Sequence, residues 1–204
     1  MKHLSTIPIC SNTLFCYKLD IKEDLTVKFM NEEFIPRNLV FDKAEKGLHM
    51  NILDKYENLK KEIKAAVDDT LKEILMLDNV NYKIFTSWLT KTAPGNFSDS
   101  HRHSNSWLSG VYYPKGDPGF SIRFHHDNKT QFQTKPRLYN IYNSTEWIIY
   151  PEDNYLILFF SQLRHEILRN ESNQDRYSLA YNIFTELFIY NIFMNKSWGH
   201  QNML

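Results

Sequence analysis

Eight short runs rich in β-branched and aromatic residues follow residue 79, and no helical stretch separates them. Turn-forming segments divide the runs, among them APGN, PKGDPG, PEDN and NESNQD. A series of closely spaced strands without intervening helices is typical of a β-sandwich or jelly roll. The sequence therefore predicts eight strands, at residues 82–92, 97–103, 107–113, 119–126, 145–150, 154–160, 164–170 and 176–184.

The first 80 residues show a different pattern. Residues 1–20 end in the apolar segment LFCYKLD and predict a strand, and residues 21–34 predict a short helix that ends before Pro36. Between residues 51 and 77 apolar side chains recur every three or four positions without Gly or Pro. This spacing predicts one amphipathic helix of about seven turns that covers a sheet.

The predicted fold class is mainly β with flanking α: a double-stranded β-helix (jelly roll, cupin-like) with an N-terminal strand and helices packed on one sheet. A chain of 204 residues suits one such domain. We predict supporting elements at 1–80, the β core at 81–190 and a C-terminal tail at 191–204.

Composition argues against some classes of function. The 24 basic and 24 acidic residues cancel, so nothing favours a nucleic acid or an anionic membrane as partner. Cys10 and Cys16 lie on one extended segment, too far apart for a disulfide without a sharp turn. The sequence shows no signal peptide and no apolar run of about 18 residues. We therefore expect reduced thiols and a cytoplasmic location.

Three histidines fall where neighbouring strands are expected to meet. In a jelly roll the strands form two sheets in the orders 1-8-3-6 and 2-7-4-5, so the second and seventh strands are neighbours. His101 and His103 end the second predicted strand, and His165 begins the seventh. These strands are antiparallel and residues two apart share a face, so all three imidazoles can point at one metal ion.

An arginine is expected deep between the two sheets. Arg176 opens the eighth predicted strand with Ser178 on the same face, and Tyr113 closes the neighbouring third strand. A guanidinium, a hydroxyl and a phenol suit a carboxylate, because arginine binds it through two parallel hydrogen bonds. Without an anion, a buried Arg176 would be costly. The pattern predicts an anion site behind the metal.

These segments resemble the 2-oxoglutarate- and Fe(II)-dependent oxygenases, and more closely an uncharacterised branch of that superfamily related to the prolyl hydroxylases. The resemblance covers residues 82–185 and rests on three segments, HRHSNSWLSGVYY, PEDNYLILFFSQLRH and RYSLAYNIF. It implies an iron site and a site for 2-oxoglutarate. The implied iron ligands are His101, His103 and His165, and the implied contacts to 2-oxoglutarate are Arg176, Ser178, Tyr113 and Asn182.

The resemblance also implies a reaction. Fe(II) and 2-oxoglutarate would be the cofactors, with ascorbate as a reductant, and O2 the second co-substrate. Oxidative decarboxylation would give succinate and CO2, and a C–H bond of the substrate would be hydroxylated. The substrate would be a peptide or protein side chain or a small metabolite, selected by the N-terminal segment and the loops at 93–100, 114–118 and 127–144.

His103 departs from the pattern of most of the superfamily, which supply two histidines and one carboxylate to iron. A three-histidine site carries about one more positive charge, which should tighten anion binding and weaken the hold on a hard divalent ion. The sequence offers other acids: a literal H-x-D at His125-His126-Asp127, and two less favoured acids, Asp99 and Asp117.

Two other functions stay open on the sequence alone. One is a cupin-type metalloenzyme that uses three histidines without a keto acid, such as a thiol dioxygenase or an isomerase. The other is a non-catalytic jelly-roll binding protein. The Arg-x-Ser pair speaks against the first alternative, because that chemistry does not need a site for a dicarboxylate. Trp88, Trp107 and Trp147 are interpreted as core or rim aromatics.

Overall fold

The structure, a computed structural model, describes residues 12–37, 42–104, 106–126 and 135–186. Three features singled out in the sequence lie outside these residues: Cys10, Asp127 and the tail at 191–204. Cys16 is an exposed free thiol. Among the described residues, neither helix has the length and apolar character needed to cross a membrane.

The N-terminal part contains three short strands and two helices. Strand β1 (Leu14–Lys18) is followed by helix α1 (Leu25–Met30), and strands β2 (Phe34–Pro36) and β3 (Glu45–Gly47) form a hairpin. Helix α1 begins at Asp24, whose carboxylate accepts hydrogen bonds from the backbone N–H groups of Thr26 and Val27. The predicted strand and short helix are therefore present.

The helix predicted as continuous over 51–77 is divided into three parts. A 3₁₀ turn (Ile52–Lys55) precedes helix α2 (Glu57–Asp69), which ends in a π-helical turn (Thr70–Ile74). Tyr56 separates the first two parts because its backbone is not helical (φ −121°, ψ 72°). Its ring packs on Phe29 at 5.2 Å and its hydroxyl donates to Glu32, so tertiary contacts override the helical periodicity here.

The remaining strands form two antiparallel sheets. The seven-stranded sheet has the order β1-β9-β6-β11-β4-β3-β2, and the four-stranded sheet has the order β5-β10-β7-β8. Numbering β4 to β11 as strands 1 to 8 recovers both predicted orders, with β1, β3 and β2 added at the edges of the large sheet. The bounds are β4 Tyr82–Thr92, β5 Ser98–His101, β6 Leu108–Tyr113, β7 Ile122–His125, β8 Glu146–Ile149, β9 Tyr155–Phe160, β10 His165–Ile167 and β11 Arg176–Thr185.

Strand β11 presents one apolar and one polar face, because side chains alternate across a strand. One face packs in the core cluster that contains helix α2 residues such as Leu59 and Ile63; its members are Tyr177, Leu179, Tyr181 and Ile183. The opposite face looks between the two sheets and carries Arg176, Ser178, Ala180 and Asn182. The helices thus cover the outside of the large sheet, as predicted, and its inner face is left for polar groups.

Candidate metal and co-substrate site

The three predicted histidines meet between the sheets. His101 at the end of β5 is the register partner of His165 at the start of β10, and His103 lies two residues beyond His101. One nitrogen from each ring lies within 4.8 Å of one nitrogen of each of the other two. This separation is suited to three ligands around one metal ion. The convergence expected from neighbouring antiparallel strands is therefore present.

Each imidazole has one nitrogen already occupied by an oxygen. Nδ1 of His101 lies 2.8 Å from the carbonyl oxygen of Asp99, and Nδ1 of His165 lies 2.9 Å from that of Leu163. Nδ1 of His103 lies 2.6 Å from Oδ1 of Asn182. Since carbonyl and amide oxygens only accept, each Nδ1 carries the proton, and each Nε2 lone pair is free for a metal.

Burial keeps two of these rings neutral. Desolvation lowers the pKa of His103 to about 4 and that of His165 to about 3, with further lowering from the neighbouring histidines. The hydrogen bonds to Asn182 and to the Leu163 carbonyl raise these values only in part. Both rings are therefore uncharged at neutral pH, with one nitrogen free of a proton, which is the form that binds metals.

A hydrogen-bonded network holds His103 in place. Its Nδ1 lies 2.9 Å from Oγ of Ser109 as well, and that hydroxyl reaches Asn182 at 2.9 Å and Ser161 at 2.8 Å. The amide nitrogen of Asn182 donates to Oγ1 of Thr86 at 3.3 Å. The ring is fixed from behind by residues of β4, β6 and β11. Asn182, predicted to lie near the co-substrate, thus contacts a predicted metal ligand.

Arg176 is buried without an acidic partner among the described residues. Its side chain is 1 % exposed, one amine donates to the carbonyl oxygen of Ser121 at 3.0 Å, and the other reaches Oγ1 of Thr92 at 3.5 Å. Its Nε has no hydrogen-bond partner within the described part of the chain. Burial lowers its pKa, opposed by the nearby Tyr113. A cation in this position is suited to an anion that enters from outside.

Tyr113 and Ser178 share the inner face with Arg176. The hydroxyl of Tyr113 is buried and, like Nε of Arg176, has no partner among the described residues. Burial raises its pKa to about 12, so it stays protonated and can donate. Ser178 is also buried and pairs with Thr90 of β4. Unpaired donors beside a guanidinium fit a carboxylate, and this chemistry fits the 2-oxoglutarate that the sequence implies.

The acidic alternatives to His103 lie elsewhere. The described part of the H-x-D segment turns away from the cluster, since Nε2 of His125 lies 2.9 Å from Glu166. Phe124, its neighbour, shares the inner face with His165, so His125 is on the outer face. Asp99 is exposed, and the carboxylate of Asp117 accepts from Gly119 and Gln174. Among the described residues, no carboxylate joins the three histidines.

A cavity of about 550 Å³ opens beside His101 and His103. Its wall includes Trp88, whose ring lies 5.6 Å from that of His103, and two cations from the N-terminal hairpin, Arg37 and Lys46. The sequence interpretation missed both cations. The only signal available was a Lys or Arg within a charged segment, which does not distinguish a cavity wall from a solvated surface.

Comparison with known families gives a match over the same region. Residues 86–182 match the family described as "Putative 2OG-Fe(II) oxygenase". The matched segment contains all three histidines, Arg176 and Tyr113. The predicted resemblance is therefore confirmed, together with the cofactors of that family, Fe(II) and 2-oxoglutarate. None of the curated proteins matches this chain.

Solved structures share the fold at low sequence identity. A prolyl hydroxylase of Trichoplax adhaerens in complex with a hypoxia inducible factor peptide is 12% identical, with a TM-score of 0.60 over 88% of this chain and 87% of that one. A Pseudomonas putida prolyl-4-hydroxylase is 15% identical, with a TM-score of 0.58 over 86% and 94%. The epimerase SnoN, solved with Fe3+, alpha ketoglutarate and nogalamycin RO, is 8% identical, with a TM-score of 0.59 over 85% and 79%. These likenesses confirm the double-stranded β-helix.

Proposed function

We propose that this chain, whose residues 86–182 match a family of 2OG-Fe(II) oxygenases, is a dioxygenase that hydroxylates a C–H bond of its substrate and converts 2-oxoglutarate to succinate and CO2. The proposal rests on one observation, that a cluster of three histidines and a buried arginine lie between the same two sheets. Three imidazoles, each with its Nδ1 hydrogen-bonded, converge at one end of β11. At the other end lies a buried guanidinium that has no acidic partner and a free Nε among the described residues. An Fe(II) ion and a dicarboxylate complete both.

The residues have separate roles in this proposal. His101, His103 and His165 would hold the iron, which supplies O2 activation when bound. Arg176 would bind the distal carboxylate of 2-oxoglutarate, with Tyr113 and Ser178 as further hydrogen-bond donors. Asn182 would keep the ring of His103 oriented through its hydrogen bond to Nδ1. The contact between Asn182 and 2-oxoglutarate that the resemblance implies stays a prediction. The buried inner face excludes bulk water, which strengthens each of these polar contacts.

The third histidine alters the charge of the site. Three neutral ligands leave the full charge of Fe(II) uncompensated, whereas two histidines and a carboxylate cancel one unit of it. We propose that this surplus is offset by the anionic co-substrate, so that iron and 2-oxoglutarate bind more cooperatively than in a two-histidine site. Measuring the iron affinity with and without saturating 2-oxoglutarate tests this; equal affinities would contradict it.

Anaerobic titration with Fe(II) and 2-oxoglutarate tests the proposed function. We expect a weak metal-to-ligand charge-transfer band in the visible, followed by succinate formation when O2 and a substrate are supplied. Iron binding without the band would instead support a three-histidine metalloenzyme that does not use a keto acid. Absence of iron binding would support a non-catalytic binding protein.

His103→Ala is the matched test of the ligand set. We expect iron stoichiometry to fall from one per chain to well below one, because the ion loses a third of its protein ligands. His125→Ala is the control, since that ring lies outside the cluster and its loss should leave iron binding unchanged. Undiminished iron in the His103 variant would remove this residue from the proposed ligands.

The proposed reaction product and the partners each have their own test. Proteins of this fold include a prolyl hydroxylase with a bound peptide and an epimerase, so hydroxylation is tested by mass analysis of the product. A peptide or protein side chain and a small metabolite both stay candidate substrates. The cytoplasmic location and the absence of nucleic-acid and membrane partners stay predictions from composition and cysteine usage. Ascorbate as reductant is tested by its effect on turnover.

A further inference from the structure

The cavity beside the histidines is lined by both apolar and polar groups. Ile35 and Pro36 of the hairpin and the ring of Trp88 are apolar, and Asn182 and two cations supply polar groups. Its volume of about 550 Å³ lies within the range of small-molecule sites. No carboxylate is among the described residues that line it. The cavity therefore presents positive charge next to the proposed metal.

Lys46 reaches this cavity because of the sheet register. It pairs with Ile35 of β2 on one side and with Thr90 of β4 on the other, and Thr90 pairs with Ser178. Paired residues share a face, so Lys46 lies on the inner face in line with Ser178. Its ammonium group lies 6.0 Å from the centre of the Trp88 ring.

The two cations of the hairpin differ in their partners. The guanidinium of Arg37 is bound to Asp42 at 2.7 Å and to Ser98 at 3.3 Å, so its charge is already compensated. Lys46 has no acidic side chain within ion-pair distance among the described residues. By contrast, Lys91 on the opposite face of the same sheet pairs with Glu45 and Asp175. Lys46 is thus the available cation of the cavity.

We propose that the substrate of this site is a small organic anion whose carboxylate or phosphate binds Lys46 while its apolar body packs on Trp88 and Ile35. This inference rests on the proposed function, since it names the substrate class of the same site. An oxyanion bound at Lys46 lies on the hairpin side, and a substrate body that packs on Trp88, whose ring contacts that of His103, then lies next to the proposed iron. The anion contributes affinity and also fixes which carbon faces the metal.

Matched neutral and anionic probes test the inference. Calorimetric titrations of phenylacetate, phenyl phosphate and the uncharged phenylacetamide are made into the Fe(II)-loaded chain under anaerobic conditions with saturating 2-oxoglutarate, so that Arg176 is already occupied. We expect one or both anions to bind at least about tenfold more tightly than the amide. The stronger anion identifies a carboxylate or a phosphate as the preferred group.

Two variants assign the effect to one residue. Lys46→Gln should weaken anion binding about tenfold and leave the amide unchanged. Lys43→Gln removes the same charge from an exposed side chain that does not line the cavity, and should change nothing. Equal affinities for acid and amide, no binding of either anion, or anion binding that is insensitive to Lys46→Gln would overturn the inference.

The charge-transfer band recorded on the same samples separates this inference from the proposed function. A normal band without Lys46-dependent anion binding overturns the substrate class and leaves the dioxygenase proposal intact. Lys46-dependent anion binding without the band supports the anion site and contradicts the use of 2-oxoglutarate.

Discussion

The two ends of strand β11 contrast in how their polar groups are satisfied. At the Asn182 end, the amide, the ring of His103 and the hydroxyl of Ser109 bind one another at 2.6 to 2.9 Å. At the Arg176 end, six residues away on the same face, Nε of the guanidinium and the hydroxyl of Tyr113 have no partner within the described residues. The polar groups behind the His103 ring are thus satisfied by the protein itself, whereas donors at the Arg176 end stay free for the proposed 2-oxoglutarate.

The proposed function accounts for this difference, since the two ends would bind different kinds of ligand. A metal ion needs ligands that are already oriented, because freely rotating imidazoles would lose entropy on binding, and the Asn182 network removes that freedom beforehand. A carboxylate brings its own acceptors, so its site must keep donors free. Donors that are buried without an acceptor destabilise the ligand-free fold. Because a bound anion supplies the acceptors, the same free energy then favours anion binding.

Replacing the guanidinium should give the largest change. Arg176→Met removes the buried cation, and we expect 2-oxoglutarate affinity to fall between about 30-fold and several thousand-fold, since breaking a buried charged pair costs about 2–5 kcal/mol. The ligand-free variant should melt at the same or a higher temperature, because an uncompensated charge is gone. Charge-transfer titration and calorimetry measure both, and iron affinity without 2-oxoglutarate should be unchanged. A lower melting temperature of the ligand-free variant would show that Arg176 stabilises the fold without an anion, and would contradict the contrast between the two ends.

Removing the support of His103 should have a smaller effect at the opposite end. Asn182→Ala leaves Nδ1 of His103 with Ser109 alone, and we expect Fe(II) affinity to fall about 10- to 100-fold. Asn182→Asp retains an acceptor at the same position and serves as the matched control, with near-normal iron binding. Competition with a chelator measures the affinity. Equal iron affinities in the alanine variant and the wild type would show that the network does not orient the ring.

Removing the hydroxyl of Tyr113, at the Arg176 end, should have a more modest effect. Tyr113→Phe removes an unpaired buried hydroxyl, so the ligand-free stability should stay equal or rise slightly. Affinity for 2-oxoglutarate should fall about five- to tenfold through the loss of one hydrogen bond to a charged group. Tyr112, whose hydroxyl already binds Asn154 on the other face, provides a control: Tyr112→Phe should leave 2-oxoglutarate binding unchanged. A selective loss in the Tyr112 variant would contradict this assignment.

The smallest effect concerns acid sensitivity of the metal-free protein. Folding lowers the pKa of His103 to about 4 and that of His165 to about 3 from an ordinary 6.5. Below pH 6.5 the unfolded chain therefore binds protons that the folded chain does not. The two neutral rings therefore contribute fully to the free energy of unfolding above pH 6.5. This contribution is lost as the pH falls towards the folded-state pKa values of about 4 and about 3. We expect the melting temperature to drop by about 5 °C or more between pH 7 and 5.

His165→Asn isolates this contribution. The variant lacks one of the two titrating rings, so its metal-free melting temperature should decline less steeply with falling pH than that of the wild type. Thermal unfolding at a series of pH values, in the presence of a chelator, compares the two. Parallel curves would show that burial of His165 does not couple its protonation to folding.

Much of the β core was predictable because its signals are local. Turn residues delimit the strands, and the connection pattern of a jelly roll then determines their neighbours, so His101 and His165 could be placed in adjacent strands from their positions alone. The alternation along β11 likewise places Arg176 and Asn182 on one face. Strand ends differ by only a few residues between sequence and structure.

The rest could not be predicted, because it depends on contacts between distant segments. The break at Tyr56 arises from a ring contact to Phe29, which the helical periodicity does not encode. The position of Lys46 at the cavity depends on the β2–β3 hairpin joining the edge of β4, 40 or more residues further along the chain. Trp88 was interpreted as a core or rim aromatic, and its contact with the ring of His103 emerged only from the fold.

The pairing of β2 with β3 has a consequence beyond this molecule. This hairpin contributes Ile35, Arg37 and Lys46 to the cavity, whereas the three imidazoles and the guanidinium come from the later strands. Under the proposed function, part of the substrate contact and the oxidation chemistry would be encoded in separable stretches of the gene. A lineage that exchanged the hairpin would then keep the metal and 2-oxoglutarate sites and alter one wall of the cavity.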